Sequence, residues 1–158
     1  MGMRIWYLAG CLILLSACAG GSPFATTYGP DGFVDTGGYK EKEVEPGVWQ
    51  VQGRANAVVR RGFASDIAVL RAAELMQSRG FKTFQIIDQK GSTQGVSIGG
   101  GSPSYAGETV KIWVVGLAPS GAPVPCRAGN KLVCKTLDVD IILRGLGPEL
   151  RSPREESK

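Results

Sequence analysis

Four cysteines and no histidine limit the chemistry available to this chain of 158 residues. The missing histidine excludes Ser-His-Asp and Cys-His catalysis and removes a common zinc ligand. Asp138 and Asp140 stand two apart and could act as an acid–base pair or bind calcium, although a solvated strand face has the same pattern. No Ser-x-x-Lys motif supplies another nucleophile. We therefore predict a protein that is not an enzyme and has no catalytic, cofactor-binding or metal-binding residues.

Cys18 follows a segment with the features of a bacterial export signal. Arg4 supplies a positive charge, and the apolar run 5–15 is too short to span a bilayer, which takes about 20 residues. The run closes as Leu-Ser-Ala-Cys, which resembles the lipobox of bacterial lipoproteins. In such signals the peptidase cuts between Ala17 and Cys18, and the cysteine thiol forms the thioether to diacylglycerol. We predict a signal peptide over 1–17 and lipidation of Cys18.

The residues that follow Cys18 bear on where the protein is located. In enteric bacteria an Asp at this position tends to retain a lipoprotein in the inner membrane, so Ala19 favours the periplasmic face of the outer membrane. Several acyl chains, such as palmitate, together give stable anchoring. Residues 18–38 are rich in Gly, Pro, Ser and Thr and show no apolar period, which predicts a flexible tether.

The overall composition fits one globular domain. Hydrophobic residues make up 43% of the chain and charged residues 20%, which suffices for a core and an ordinary soluble surface. The chain has 18 basic and 14 acidic residues; loss of 1–17 removes one basic residue, Arg4, and leaves 17 against 14, or +3. No cluster of basic and aromatic residues indicates nucleic-acid binding, and the charge supports at most a mild attraction to anionic lipid.

Two predicted elements open the globular domain. The stretch 48–53 alternates as a half-buried strand, with Gln50 and Gln52 on its polar face. A helix is predicted to begin at the capping residue Ser65 and to end at Gly80. Its flat apolar stripe, which suits close packing against a sheet, consists of Val69, Ala72, Ala73 and Met76.

Alternation also predicts strands at 81–88, 108–117 and 136–143. Residues 91–107 are predicted to form a Gly/Ser-rich loop, which lacks the Gly-Lys-Ser/Thr sequence of a phosphate cradle. This order predicts an α+β fold, with one helix packed on a largely antiparallel sheet of about four strands, after the flexible N-terminal tether. The predicted domain covers 39–145, and 146–158 form a polar tail. On its second face the sheet would present Gln50, Gln52, Asp138 and Asp140.

Cys126 and Cys134 bracket the stretch CRAGNKLVC. An exported protein folds in an oxidising compartment, where disulfides persist. Closing this short loop would stabilise the fold by about 2–3 kcal/mol in the chain-entropy model. We predict a structural disulfide, because the spacing differs from the C-x-x-C of redox-active pairs and histidine is absent for zinc.

A resemblance to one protein family emerges once these motifs are placed in order. Gly38-Tyr39, the run Leu70–Leu75 (LRAAEL), and Gly80-Phe81 followed by Phe84 are similar to a pattern in a family of small proteobacterial lipoproteins. The resemblance covers about 28–88, and Gly53-Arg54-Ala55-Asn56 stands where that family has a Gly-Asn pair. It implies an outer-membrane or periplasmic lipoprotein and implies no activity.

Three functions remain open from the sequence. The first is a non-enzymatic cell-envelope lipoprotein that binds another envelope protein as an accessory, assembly or stress-sensing factor. The second is a periplasmic carrier of a small molecule or lipid, which needs a deep apolar pocket, and the third is a periplasmic hydrolase. We favour the first function, with Trp49, Trp113 and Tyr105 as interaction residues if they are exposed together.

Overall fold

The computed structural model describes residues 25–32, 37–96 and 104–152, without the side chains of residues 96, 104 and 105. The predicted signal peptide, the predicted cleavage site at Ala17 and the predicted lipidation site Cys18 lie outside these ranges. The elements in chain order are β1 (Gly37–Glu45), β2 (Val48–Asn56), α1 (Phe63–Ser78), β3 (Thr83–Val96), β4 (Ser104–Leu117), a short 3₁₀ helix (Lys131–Val133), β5 (Thr136–Asp138) and α2 (Val139–Arg151).

The five strands form one antiparallel sheet in the order β1-β2-β4-β3-β5, and the fold is α+β as predicted. Described residues provide one strand more than the expected four, and a second helix. Val51 and Ala55 of β2 and Ile112 and Val114 of β4 face α1 and are buried. Alternation along each strand sends the intervening side chains to the opposite face of the sheet, which no helix among the described residues covers.

Helix α1 begins two residues before the predicted cap. Gly62 is the N-cap residue, so the prediction of Ser65 as the cap is wrong. The predicted end is confirmed, because Gly80 adopts the left-handed conformation with φ 81°. Its N–H donates to the Gln77 carbonyl and the Phe81 N–H donates to the Met76 carbonyl, which is the Schellman arrangement of a helix end.

Gly53 sets how closely α1 lies on the sheet. A Cβ atom at this position would lie 1.9 Å from the backbone oxygen of Ala64. Ala72 and Ala73 of the predicted flat stripe are fully buried, but α1 also buries Leu70, which lies outside that stripe. The small residues Gly53 and Ala64 allow the helix and sheet backbones to approach closely.

The predicted last strand over 136–143 is wrong beyond Asp138. The Asp138 side chain accepts a hydrogen bond of 2.9 Å from the Ile141 N–H and caps α2, which continues to Arg151. Val139 and Leu150 of this helix are buried, whereas Ile141, predicted to face inward, is 63% exposed. Helix α2 therefore also occupies the first part of the predicted polar tail, 146–158. Its half-buried side chains that pack on the core are Ile142, Leu143 and Leu146.

The predicted Gly/Ser-rich loop over 91–107 is largely wrong as well. Strand β3 continues to Val96 and β4 begins at Ser104, so the ends of the predicted loop pair with each other, as Gln94 with Gly107 and Gly95 with Tyr105. Residues 97–103, which include the triple glycine, lie outside the described ranges. The Gly/Ser-rich stretch shows no alternation of apolar side chains, so the sequence does not predict strands there. In the structure, hydrogen bonds between the backbones of β3 and β4 form the strands.

The segment 25–32, predicted as part of the tether, packs on the domain. Its backbone runs beside β1, where the Tyr39 N–H donates to the Gly29 carbonyl at 2.8 Å and the Asp31 N–H donates to the Tyr39 carbonyl at 2.7 Å. The Thr26 side chain is buried and its hydroxyl oxygen accepts from the Asn56 N–H. The globular unit therefore includes residues well before position 39.

The predicted disulfide between Cys126 and Cys134 is present, with Cα atoms 5.8 Å apart. The loop that it closes contains the 3₁₀ helix, which Asn130 caps through the Leu132 N–H. Backbone N–H groups of Arg127 and Ala128 donate to the Ile87 carbonyl, so the loop lies along the edge of β3.

Candidate functional site

Strand register brings cationic side chains together on the sheet face opposite α1. Residues Lys40, Gln52, Lys111 and Lys90 form one row across the sheet, because each is paired with the next in β1, β2, β4 and β3. The neighbouring rows are Lys42, Gln50, Trp113 and Asp88 on one side and Gly38, Arg54, Thr109 and Ser92 on the other. We call these three rows the basic sheet face.

The basic sheet face carries five cationic residues and one carboxylate, Asp88. Lys90 lies over the ring of Trp113, 5.5 Å from its centroid. Among the described residues, Lys42 and Lys111 form no ion pair. Lys90 and Lys111 lie directly opposite each other on neighbouring strands, and like charges in that position repel, which favours an anionic partner.

Asp31 neutralises one corner of the basic sheet face. Its side chain is 1% exposed, and its Oδ2 lies 2.9 Å from Lys40 Nζ and 3.3 Å from Arg54 Nη1. Burial alone would raise the pKa of this carboxyl, but hydrogen bonds from Lys40 and Arg54 hold the pKa below its ordinary value. The segment 25–32 thus contributes an acid to the sheet, which leaves Lys42, Lys90 and Lys111 as the uncompensated cations of the face.

The structure does not bring the predicted interaction residues together. Trp113 is half-buried on the basic sheet face, whereas Trp49 lies on the side of α1. The Arg79 guanidinium covers the Trp49 ring at 3.8 Å from its centroid. Tyr105 lies in β4, and its side chain is outside the described set. Of the two tryptophans, Trp113 belongs to the candidate surface.

A second polar cluster joins the N-terminal segment to the helices. Arg71 pairs with Glu41 of β1 at 2.5 Å and with Glu74, three residues along α1, at 3.0 Å. The Tyr28 hydroxyl donates to Glu74, whose other carboxylate oxygen binds Arg151 of α2.

Burial and the neighbouring Glu74 carboxylate raise the pKa of Tyr28. Burial opposes ionisation of Glu74, but hydrogen bonds from Tyr28, Arg151 and Arg71 hold its pKa below its ordinary value. Arg71 also covers the Tyr39 ring at 4.6 Å from its centroid. Every polar member of this cluster has a partner, so its role is to fasten the N-terminal segment to α1 and α2.

Asp138 and Asp140, which were considered for acid–base chemistry, both lie at the start of α2. Asp138 caps α2, and Asp140 lies in the first turn, where the helix dipole favours a negative charge. The two are therefore not neighbours on a strand face. Within the described residues no three His, Cys, Asp or Glu side chains are grouped so as to hold a metal ion.

A carrier would need a deep apolar cavity, and two depressions of the described structure have charged as well as apolar side chains in their lining. One of about 640 Å³ lies beside β1 and is lined largely by polar and charged side chains, including Lys40, Lys42, Gln52 and Arg71. Another of about 350 Å³ lies beside Trp49 and Phe81. The helix–sheet interface itself is closely packed at Gly53. No helix in the described ranges is long and apolar enough to cross a membrane.

Comparisons with models of protein families, with curated proteins and with solved structures find no match to this chain. The resemblance to the family of proteobacterial lipoproteins therefore stays a prediction.

The sequence predicts only part of the basic sheet face: the alternation at 48–53 placed Gln50 and Gln52 on it correctly. Its lysines come from three strands, and their alignment depends on register, which the spacing of single residues does not encode.

Proposed function

We propose that this chain is a non-enzymatic lipoprotein of the bacterial cell envelope, anchored through Cys18 at the periplasmic face of the outer membrane. In this proposal it binds another envelope protein, as an accessory, assembly or stress-sensing factor. The observation that carries the proposal is the basic sheet face, with Lys42 and Lys111 unpaired among the described residues and Trp113 beside them.

The shape and chemistry of this face suit a protein partner. It spans four strands, and its depression of about 640 Å³ is lined largely by charged and polar side chains, whereas small-ligand sites are mostly apolar. Trp113 is of a residue type that dominates binding energy at protein interfaces, and the glutamines of the face can form hydrogen bonds. The excess of lysine defines the partner surface as acidic, and the attraction should weaken as salt rises.

The test is cross-linking of the tagged, lipidated chain in living cells, with identification of the attached protein. The variant is Lys42→Glu with Lys111→Glu; the control is Lys82→Glu with Lys131→Glu, which changes the net charge equally outside the face. We expect one acidic envelope protein as adduct, reduced roughly tenfold in the variant and unchanged in the control. Equal adducts in both double variants, or no protein adduct from the wild-type chain, would contradict the proposal.

A further inference from the structure

The outer edge of β3 is only partly occupied. Strand β5 pairs with its first residues, Thr83–Gln85, and the loop before β5 continues the contact through the Ile86 N–H and the Ile87 carbonyl. From Gln89 to Gln94, no described residue forms a backbone hydrogen bond with this edge outside the ladder with β4.

Register determines which backbone groups point outward along this free edge. The Tyr39 N–H and carbonyl bind the segment 29–31, so these backbone groups point away from β2. In antiparallel pairs the direction of the backbone groups alternates along each strand. Following this alternation through the pairings of β1, β2 and β4, the backbone groups of Gln89, Gly91 and Thr93 in β3 point away from β4. The Gln89 N–H donates to the Asp88 side chain at 2.8 Å, which leaves the N–H groups of Gly91 and Thr93 and three carbonyl groups in position to receive another strand.

Natural sheets usually protect such edges with charged residues, proline, bulges or a covering segment. Strand β1 follows that rule, because it alternates Lys and Glu over 40–43 and is covered at Tyr39. The free edge of β3 has one charged side chain, Lys90, and no proline. At Gly91 a Cβ atom would meet nothing closer than 3.9 Å, and glycine in a strand allows another backbone to approach.

We propose that the edge Gln89–Thr93 accepts an extended segment of the acidic partner as an additional strand, with an acidic side chain directed toward Lys90 on the basic sheet face. The inference rests on the proposed function and deepens it. Main-chain hydrogen bonds would supply affinity, and the alternate side chains of the added strand would supply specificity.

Charge decides the occupant of the edge. An added strand would lie about 4.8 Å from β3, and its residue opposite Lys90 would continue the row of Lys40, Gln52, Lys111 and Lys90. A carboxylate at that one position would face a cation, and opposite charges across strands attract. The same edge of a second copy would instead bring another Lys90 to this face, with Asp88 as its one carboxylate.

The test uses a photo-reactive amino acid at Gln89 in the full lipidated chain, in combination with Gly91→Pro or Gly91→Ala. Proline removes an outward N–H and leaves the ladder with β4 intact, whereas alanine keeps the N–H. We expect an adduct with the acidic envelope protein that falls at least tenfold with proline and persists with alanine. Lys90→Glu, which leaves the backbone unchanged, should also reduce the adduct and covers the case in which the proline variant does not fold.

The outcomes separate this inference from the proposed function. A probe at Lys42 that gives the adduct while the probe at Gln89 gives none would overturn strand addition and leave the basic sheet face as the site. Absence of adducts from both probes would count against the proposed function as well. An adduct that persists in both Gly91→Pro and Lys90→Glu, or that proves to be a second copy of this chain, would also overturn the inference.

Discussion

Asp31 shows how a single carboxylate can fasten a segment to the sheet. It is buried between Lys40 and Arg54, and these hydrogen bonds keep its pKa low. A carboxyl with a lowered folded-state pKa contributes stability above its unfolded pKa, about 3.9, and this contribution disappears as the pH falls through the folded value. Acid therefore weakens the packing of the segment 25–32, because protonation removes the charge of Asp31.

We predict that Asp31→Asn destabilises the protein at pH 7 and makes its stability less sensitive to acid. The variant has no charge at position 31 to lose, so its free energy of unfolding should fall less than that of the wild type between pH 7 and pH 2. Urea unfolding at a series of pH values measures both. An equal loss in the two proteins would show that Asp31 does not carry this part of the acid dependence.

Gly53 is the residue where helix packing permits no side chain. We predict that Gly53→Ala destabilises the fold by about 3 kcal/mol, because the new methyl group would meet backbone atoms of α1 that cannot move independently. Gly145→Ala is the matched control: it lies within α2 with open space around it, and should stabilise by about 0.5–1 kcal/mol. Denaturant unfolding measures both changes, and a loss below 1 kcal/mol at Gly53 would contradict the packing argument.

At the scale of elements, α2 is where alternation misled. Leu137, Val139, Ile141 and Leu143 alternate as a strand would, but Val139, Leu143, Leu146 and Leu150 also recur at helical spacing. Two features favour the helix. The Asp138 side chain caps its first turn, and the apolar side chains of α2 pack on the core that contains α1. A strand would have left the side of α1 away from the sheet exposed.

We predict that Asp138→Ala destabilises the protein by about 1 kcal/mol through loss of the cap, while Asp138→Asn costs much less because its side-chain oxygen still accepts from the Ile141 N–H. Thermal unfolding of the two variants against the wild type provides the measurement. Equal destabilisation by alanine and asparagine would indicate that the charge, and not the hydrogen bond, matters at this position.

At the scale of the whole molecule, the N-terminal segment changes how the domain is placed relative to its proposed anchor. The tether was expected to extend to residue 38, but the described structure begins its contacts at residue 25. Seven residue steps separate Cys18 from Ala25, and they reach at most about 25 Å. A lipid anchor at Cys18 would therefore hold the domain near the membrane surface.

The anchor itself gives the prediction at this scale. Cys18→Ala should abolish acylation, because the thioether needs the thiol, and the chain should leave the membrane fraction. Labelling with palmitate, followed by fractionation, tests this, and Cys11→Ala serves as the control that keeps its label. Membrane-bound, palmitate-labelled protein in the Cys18→Ala variant would contradict the lipobox argument.

Local patterns in the sequence determined the α+β class, the end of α1, the polar face of β2 and the Cys126–Cys134 bond, because each depends on periodicity, a cap or a nearby pair. Only the tertiary structure decided the helical form of α2, the extension of β3 and β4 through the glycine-rich stretch, and the packing of the segment 25–32. These features depend on partners distant in the chain: α1 for α2, each strand of the hairpin for the other, and β1 for the segment. The basic sheet face belongs to the same class, because four strands must meet in register before its lysines become neighbours.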